Sequence, residues 1–388
     1  MSEWKSGKIR DLGRVVTGST PPTKCPELFG DVSLFITPSD LDYDSWQIHK
    51  SERSISQAGC EKFRTRMIPA GSIMYTCIAS IGKIGIAAGD VLTNQQINSI
   101  VPYDDVNGRF VYYLLRNETQ RIQSRNAGCA VPIINKGDFE NIDVSYPSLP
   151  TQKRIADILS AYDDLIENNR RRMEILEESA RLIFKERYGK VKATGVLADI
   201  CEEVRRSVKP SDVADDTPYI GLEHMPRRSI SLCQWEGAGK VTSTKHGFNE
   251  GEILFGKIRP YFHKVGIAFV DGVASSDTIV IRPLKTELRN YVLLTVSSDD
   301  FVAAASQGMK EGSKMPRADW DLLLKYPVPI PTEKALANFN QLIEPIMQQL
   351  KAFCFTNRKL AEARDILLPK LMSGKFEGRK VKVSEVAR

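Results

Sequence analysis

Two stretches of the chain place apolar residues at alternating spacings of four and three. In the first these are Ile155, Leu159, Tyr162, Ile166, Asn169, Met173, Leu176, Ala180 and Ile183, with Asn169 the one polar member. The second runs Phe339, Ile343, Ile346, Leu350, Phe353, Asn357, Leu360, Arg364, Leu367 and Leu371. This period is a coiled-coil seam, and a single polar position in such a seam costs stability and fixes register. At about 1.5 Å per residue, residues 151–187 would span roughly 55 Å. Thr151 and Thr332 each follow a proline and are suited to cap these helices, whereas Pro345 predicts a kink or break early in the second. Two such seams imply a pair of long helices packed on each other, most simply antiparallel. The plainer alternative is a pair of amphipathic core helices in one globular fold.

The parts before each long helix, 1–150 and 189–331, are punctuated by Gly and Pro and carry short apolar runs. Residues 72–76, 84–87, 97–101, 253–255 and 274–281 predict strands, and 109–123 and 288–296 predict helices. These parts repeat one another. Lys83-Ile84-Gly85-Ile86-Ala87 resembles Lys264-Val265-Gly266-Ile267-Ala268 at an offset of 181, which also relates Pro102 to Pro283 and Pro150 to Pro331. Gly71-Ser72-Ile73-Met74-Tyr75 matches Gly251-Glu252-Ile253-Leu254-Phe255 at 180, and the Asn169-Arg170 step recurs as Asn357-Arg358 at 188. The expected fold is therefore α+β: two β-rich α/β modules separated by two long antiparallel coiled-coil helices, a pseudo-two-fold internal repeat. The expected divisions are 1–150, helix 151–188, 189–331, helix 332–375 and a basic tail 376–388.

Composition narrows the class. A length of 388 residues suits two or three domains. No apolar run approaches a membrane span, and the N-terminus lacks a secretory h-region, so a cytoplasmic protein is expected. The seven cysteines are scattered and never in CxxC spacing, which predicts reduced thiols and no structural zinc. None of the four histidines pairs with another at metal-ligand spacing, so no metal is expected. The net charge of +6 sits almost wholly beyond residue 331. A DNA ligand would therefore need cations gathered by the fold or phosphate contacts supplied by a partner.

Catalytic patterns are missing. There is no GxGxxG, GxSxG or HExxH. Thr20-Pro21-Pro22-Thr23 lacks the aromatic residue of an amino-methylating (Asp/Asn/Ser)-Pro-Pro-aromatic step. Gly237-Ala238-Gly239-Lys240 is followed by Val241 where a P-loop needs Ser or Thr. Pro38-Ser39-Asp40 opens no complete nuclease pattern. The expectation is a non-catalytic binding or assembly protein that holds no cofactor of its own.

Three stretches carry a resemblance. The first is Thr17-Gly18-Ser19-Thr20-Pro21-Pro22 with the run from Phe29 to Leu41. The second is Ile81-Gly82-Lys83-Ile84-Gly85 with Thr93-Asn94-Gln95-Gln96-Ile97-Asn98. The third joins Leu176-Glu177-Glu178-Ser179-Ala180-Arg181-Leu182-Ile183-Phe184-Lys185 with Arg364-Asp365-Ile366-Leu367-Leu368-Pro369-Lys370-Leu371-Met372-Ser373-Gly374. Together, over essentially the whole chain, they resemble the specificity (S) subunits of type I restriction–modification systems. The second module departs from the pattern: Arg206-Ser207-Val208-Lys209-Pro210 stands where a Gly-Thr-Pro opening is expected, and Ser276-Asp277-Thr278 replaces Asn94-Gln95-Gln96. The resemblance implies two target recognition domains, each reading one half of a split DNA site, with the helices setting the spacer. It further implies double-stranded DNA, two methylation subunits and restriction motor-nuclease subunits as partners. S-adenosylmethionine, ATP and Mg would be bound by those partners. A protein-only helical scaffold is the alternative, and a neighbouring adenine methyltransferase reading frame would discriminate against it.

Base reading needs Arg, Lys, Asn, Gln, Ser or Thr at groove edges. In the first module the candidates are Thr20, Lys24, Arg53, Lys62, Arg64, Arg66, Ser80, Lys83 and Arg125. In the second they are Arg205, Arg206, Lys209, Arg227, Arg228, Lys257, Arg259, Tyr261, Lys310, Lys314 and Arg317. Gln95 and Gln96 are expected to brace loop backbone instead.

Overall fold

The structure is a computed structural model that describes residues 4–124, 132–307 and 316–374. The chain forms two compact units, Met1–Glu167 with Lys359–Arg388, and Asn168–Arg358. Each unit thus contains a β-rich part and a piece of both long helices.

In the first unit a five-stranded sheet runs in the order Gly13–Thr17, Ile97–Pro102, Ile73–Thr76, Ile84–Ala87, Gln47–Ile48. Its neighbours are antiparallel except the last pair. The central strand explains the layering. Ile73 and Tyr75 face a core built with the helix Gly108–Ser124, and Met74 faces the opposite core with Ile36 and Val91. Side chains of period two that are apolar on both faces demand cover on both faces. The second cover is a three-stranded sheet, Arg53–Ile55, Phe29–Ile36, Val91–Thr93.

The second unit repeats this order: Cys201–Glu203, Thr278–Pro283, Ile253–Gly256, Val265–Ala268, Ser231–Leu232. Ile253 and Phe255 face the helical core and Leu254 the other side. Its covering sheet has five strands, Ser207–Val208, Lys245–Phe248, Gly272–Ala274, Pro218–Ile220 and Glu236–Gly237. The run 274–281, expected as one strand, is two strands in different sheets, because the turn at residues 275–277 ends one and starts the next.

The long helices are Leu149–Tyr188 and Glu333–Met372. Within the first unit Ile155, Ala156 and Leu159 share a core with Leu368, Leu371 and Met372. Within the second, Asn169 Nδ2 donates to Asn357 Oδ1 at 2.8 Å, the Arg172 guanidinium lies 4.7 Å from the centre of the Phe353 ring, and Phe184 meets Phe339. Position rises along one helix as it falls along the other, so the pairing is antiparallel. Every seam position is buried or half-buried. The two polar seam residues of this unit, Asn169 and Asn357, bond each other.

Three local expectations fail. Pro345 neither breaks nor ends its helix. It is exposed, as is Gln341, whose carbonyl it leaves without a helical donor, so water can satisfy that group. Thr151 is not the cap: Ser148 C=O already accepts the Thr151 and Gln152 N–H groups at 3.0 Å, one residue before the helix starts. Thr332 does cap, its Oγ1 accepting from Ala335 N–H at 3.3 Å. The cysteines are not all free thiols, since Cys233 and Cys354 form a disulfide with Cα atoms 5.2 Å apart. Sequence spacing could not reveal it, because the partners lie 121 residues apart and meet only when the strand-end loop packs on the second long helix.

Candidate nucleic-acid interface

The antiparallel order of the first unit's sheet puts several chain reversals at one end. The strands ending at Thr17, Ile36, Thr76 and Thr93 all run toward it, and those beginning at Ile84 and Ile97 leave it. Backbone bonds lock the loops together there: Ser19 N–H to Thr93 O at 2.8 Å, Asn94 N–H to Ile36 O at 2.9 Å and Cys77 N–H to Gln96 O at 2.8 Å. Thr20 Oγ1 donates to Gln95 Oε1. Gln96 Oε1 accepts from Asn94 Nδ2 at 3.1 Å, so both glutamines bond side chains here rather than the loop backbone expected of them. Arg66 Nη1 reaches Thr17 O at 3.3 Å, bringing the segment of Lys62, Arg64 and Arg66 to this end, all exposed. Arg53 stacks 4.0 Å from the centre of the Phe29 ring. Lys24 is exposed and Ser80 half-buried in the same loops. Arg125 lies outside the described residues.

Lys83 is engaged with protein: its Nζ donates to Pro38 O at 3.0 Å and lies 3.7 Å from Asp42 Oδ1. It ties the turn Pro38–Asp40 to the sheet. Lys264, which the offset of 181 pairs with Lys83, does the same in the second unit, donating to Leu222 O at 2.5 Å in the turn Leu222–His224. Burial lowers its pKa. The repeated motif carries the equivalence of the two lysines, although residue type and clustering nominate only Lys83.

The matching end of the second unit collects Lys257, Arg259, Tyr261, Arg227, Arg228 and Arg317. Arg227 and Arg259 lie 4.3 and 5.9 Å from the Phe262 ring centre. Arg228 Nη1 donates to Asp299 Oδ1 at 2.8 Å, and Arg317 Nη2 to Asp277 Oδ1 at 3.1 Å. Arg205 pairs with Glu203 at 2.7 Å and remains exposed. Lys209 is exposed just before the turn Pro210–Asp212. Arg206 does not join the group. Its Nη1 donates to Asn249 Oδ1 at 2.7 Å, in the turn that precedes the strand Ile253–Gly256, at the opposite sheet end. Lys310 and Lys314 lie outside the described residues.

The first long helix buttresses this end of the second unit. Glu177 is buried and accepts from Ser229 Oγ at 2.8 Å, Ser231 Oγ at 2.5 Å and Ile230 N–H at 3.2 Å. Burial raises its pKa despite those donors. Arg181 donates to Arg228 O at 2.7 Å and Ser297 O at 3.2 Å. In the first unit the corresponding grip is Trp46 Nε1 on Asp164 Oδ1 at 2.7 Å. Beside it Arg364 pairs with Asp163, both buried, and Tyr113 donates to the same carboxylate. Burial alone would lower the Arg364 pKa, but the carboxylates of Asp365 and Asp163 more than offset it and hold the guanidinium charged. Arg364 occupies a seam position as a charged residue because a buried acid meets it there.

One grouping has no signal at metal-ligand spacing in the sequence: Glu223, His224 and Glu236 hold their ligand atoms within 4.8 Å of one another. His224 Nδ1 accepts the Gly221 N–H at 3.0 Å. That bond places the imidazole proton on Nε2, so the neutral ring has no lone pair left for a cation.

Duplicated sheet-end loops carrying guanidinium and hydroxyl groups, braced by paired seam helices, are the arrangement expected of a modular nucleic-acid reader. Residues 1–178 match the family described as type I restriction modification DNA specificity domain, and over most of its length the chain is similar to specificity subunits of type I restriction enzymes. It is 28% identical to the type I restriction enzyme MjaIX specificity subunit of Methanocaldococcus jannaschii, over 96% of this chain and 94% of that protein. It is 24% identical to the EcoDI specificity subunit of Escherichia coli, over 66% and 65% of the two chains. The fold is that of the crystal structure of the type I S subunit from M. genitalium: TM-score 0.56, 14% identity, 95% of this chain and 96% of that one. Among the described residues no helix is long and apolar enough to cross a membrane.

Proposed function

We propose that this chain is the DNA-reading subunit of a type I restriction–modification complex. Each unit reads one half of a bipartite, asymmetric site, and the paired helices set the unread spacer. The observation that carries this is the repeat itself: two units with one sheet order and one loop end, furnished with different side chains. A shared central-sheet frame with different contents suits two different half-sites. Phosphate contacts would come from the exposed arginines and lysines, which position without specifying, and base contacts from the loop tips.

The chain itself does no chemistry in this reading. Two methylation subunits and the restriction motor-nuclease subunits supply it in the cytoplasm, together with S-adenosylmethionine, ATP and Mg. Partner contacts to phosphate would also account for binding by modules of nearly neutral charge.

The test is a segment exchange. Residues 1–150 are replaced by the corresponding segment of a specificity subunit with a different target, and the methylated motif is sequenced in cells expressing the methylation subunits. One half of the motif changes and the other half and the spacer persist. A change in both halves would contradict modular reading.

A further inference from the structure

The hairpin loop after the central strand is built on one frame in both units. In the first, Cys77 N–H donates to Gln96 O, Ile134 N–H to Cys77 O at 2.9 Å and Ala79 N–H to Pro132 O at 3.0 Å, with an Ile78–Ile133 bridge. In the second, Lys257 N–H donates to Asp277 O, Ala318 N–H to Lys257 O at 2.8 Å and Arg259 N–H to Pro316 O at 2.8 Å, with an Ile258–Arg317 bridge. Ala79 and Arg259 hold the same left-handed backbone, at φ 61° and 49°. Each frame closes on the lysine that ties the neighbouring turn, Lys83 or Lys264.

What the frames carry differs. The first unit places Ala79-Ser80-Ile81-Gly82 in it. The second places Arg259-Pro260-Tyr261-Phe262-His263, one residue longer and basic-aromatic. The extra length is absorbed by a single turn, Pro260–Phe262, between two left-handed residues, Arg259 and His263. Non-glycine residues hold such backbone only where surroundings over-determine it. Here they do: Arg228 N–H donates to His263 O at 2.9 Å, and buried His263 bonds Ser297 O through Nε2 at 2.8 Å. Pro260 is buried beneath the turn, yet Tyr261 at its tip is 51% exposed. Its ring sits edge-on to Phe262, centroids 4.9 Å apart, and Arg227 and Arg259 cover that phenylalanine. An exposed tyrosine at the tip of a stiff loop, next to a phenylalanine that two guanidinium groups cover, is suited to contact a base edge while those guanidinium groups bond the flanking phosphates.

We infer that Tyr261 is the specificity-determining side chain of the second unit, reading a base pair of one half-site from this loop. The inference rests on the DNA-reading function proposed above. The full chain is expressed with its methylation subunits as wild type, Tyr261→Ala and Tyr261→Phe, and methylated motifs are sequenced. A bipartite motif from the wild type is required first; without one, the proposed function fails rather than this inference. The expected result is that Tyr261→Phe keeps the wild-type bases in both halves. Tyr261→Ala relaxes or loses recognition in a single half, with at least a tenfold drop in methylation at the wild-type site. An unchanged motif in Tyr261→Ala, a change in both halves, or loss of methylation in both variants would overturn it.

Discussion

Glu177 shows how one side chain couples the helix to the loop end of the second unit. Its carboxylate satisfies two hydroxyls and one backbone N–H of residues 229–231, and burial raises its pKa above the ordinary 4.5. A carboxyl whose pKa is raised on folding binds more protons in the native state between the two values. Stability contributed by this group therefore falls as pH rises from about 4.5 through the folded value. Glu177→Gln removes that slope, which urea unfolding at stepped pH will reveal as a flatter profile than wild type. Glu177→Ala leaves buried donors unpaired and costs about 1–3 kcal/mol for each, seen as a lower midpoint at every pH. In the sequence the residue is legible only as part of a family-like helix end. Nothing in its spacing, one position off the seam, announces that it meets a loop more than fifty positions away.

At the scale of elements, the long helices are the most legible part of the chain, because a seam of period 3.5 is written directly in residue order. Their ends and partners are less so. Ser148 replaces Thr151 as the cap, and Pro345 is tolerated at a position where it and Gln341 are both exposed, so that water can satisfy the orphaned carbonyl. The central strands are legible to within a residue or so because both faces are apolar. The split of 274–281 is hidden, since a continuous apolar run does not say which sheet each half joins. The Cys233–Cys354 disulfide is hidden for the same reason of long-range geometry. If the helices act as the ruler, removing one heptad from each, at positions that preserve the Asn169–Asn357 contact, shortens the unread spacer of the methylated motif and leaves both half-sites intact. An unchanged spacer would show that something else sets it.

At the scale of the molecule, the internal repeat is enough to mark two units in the residue order alone, and it implies a shared frame. It does not reveal the contents of the frames. Of the cations that residue type and clustering nominate, Arg66, Arg227 and Arg259 do reach the loop ends, whereas Lys83 is spent on holding a turn and Arg206 points to the other end of its sheet. Charge clustering along a sequence cannot separate these cases, since it carries no information about which end of a sheet a side chain faces. The central claim is that this chain specifies a two-part DNA sequence. Single-molecule methylation sequencing of host DNA, with the gene present, deleted and restored, tests it most directly. The account predicts a split N6-methyladenine motif that vanishes on deletion and returns on complementation; an unchanged methylome while the methylation subunits are expressed would contradict it.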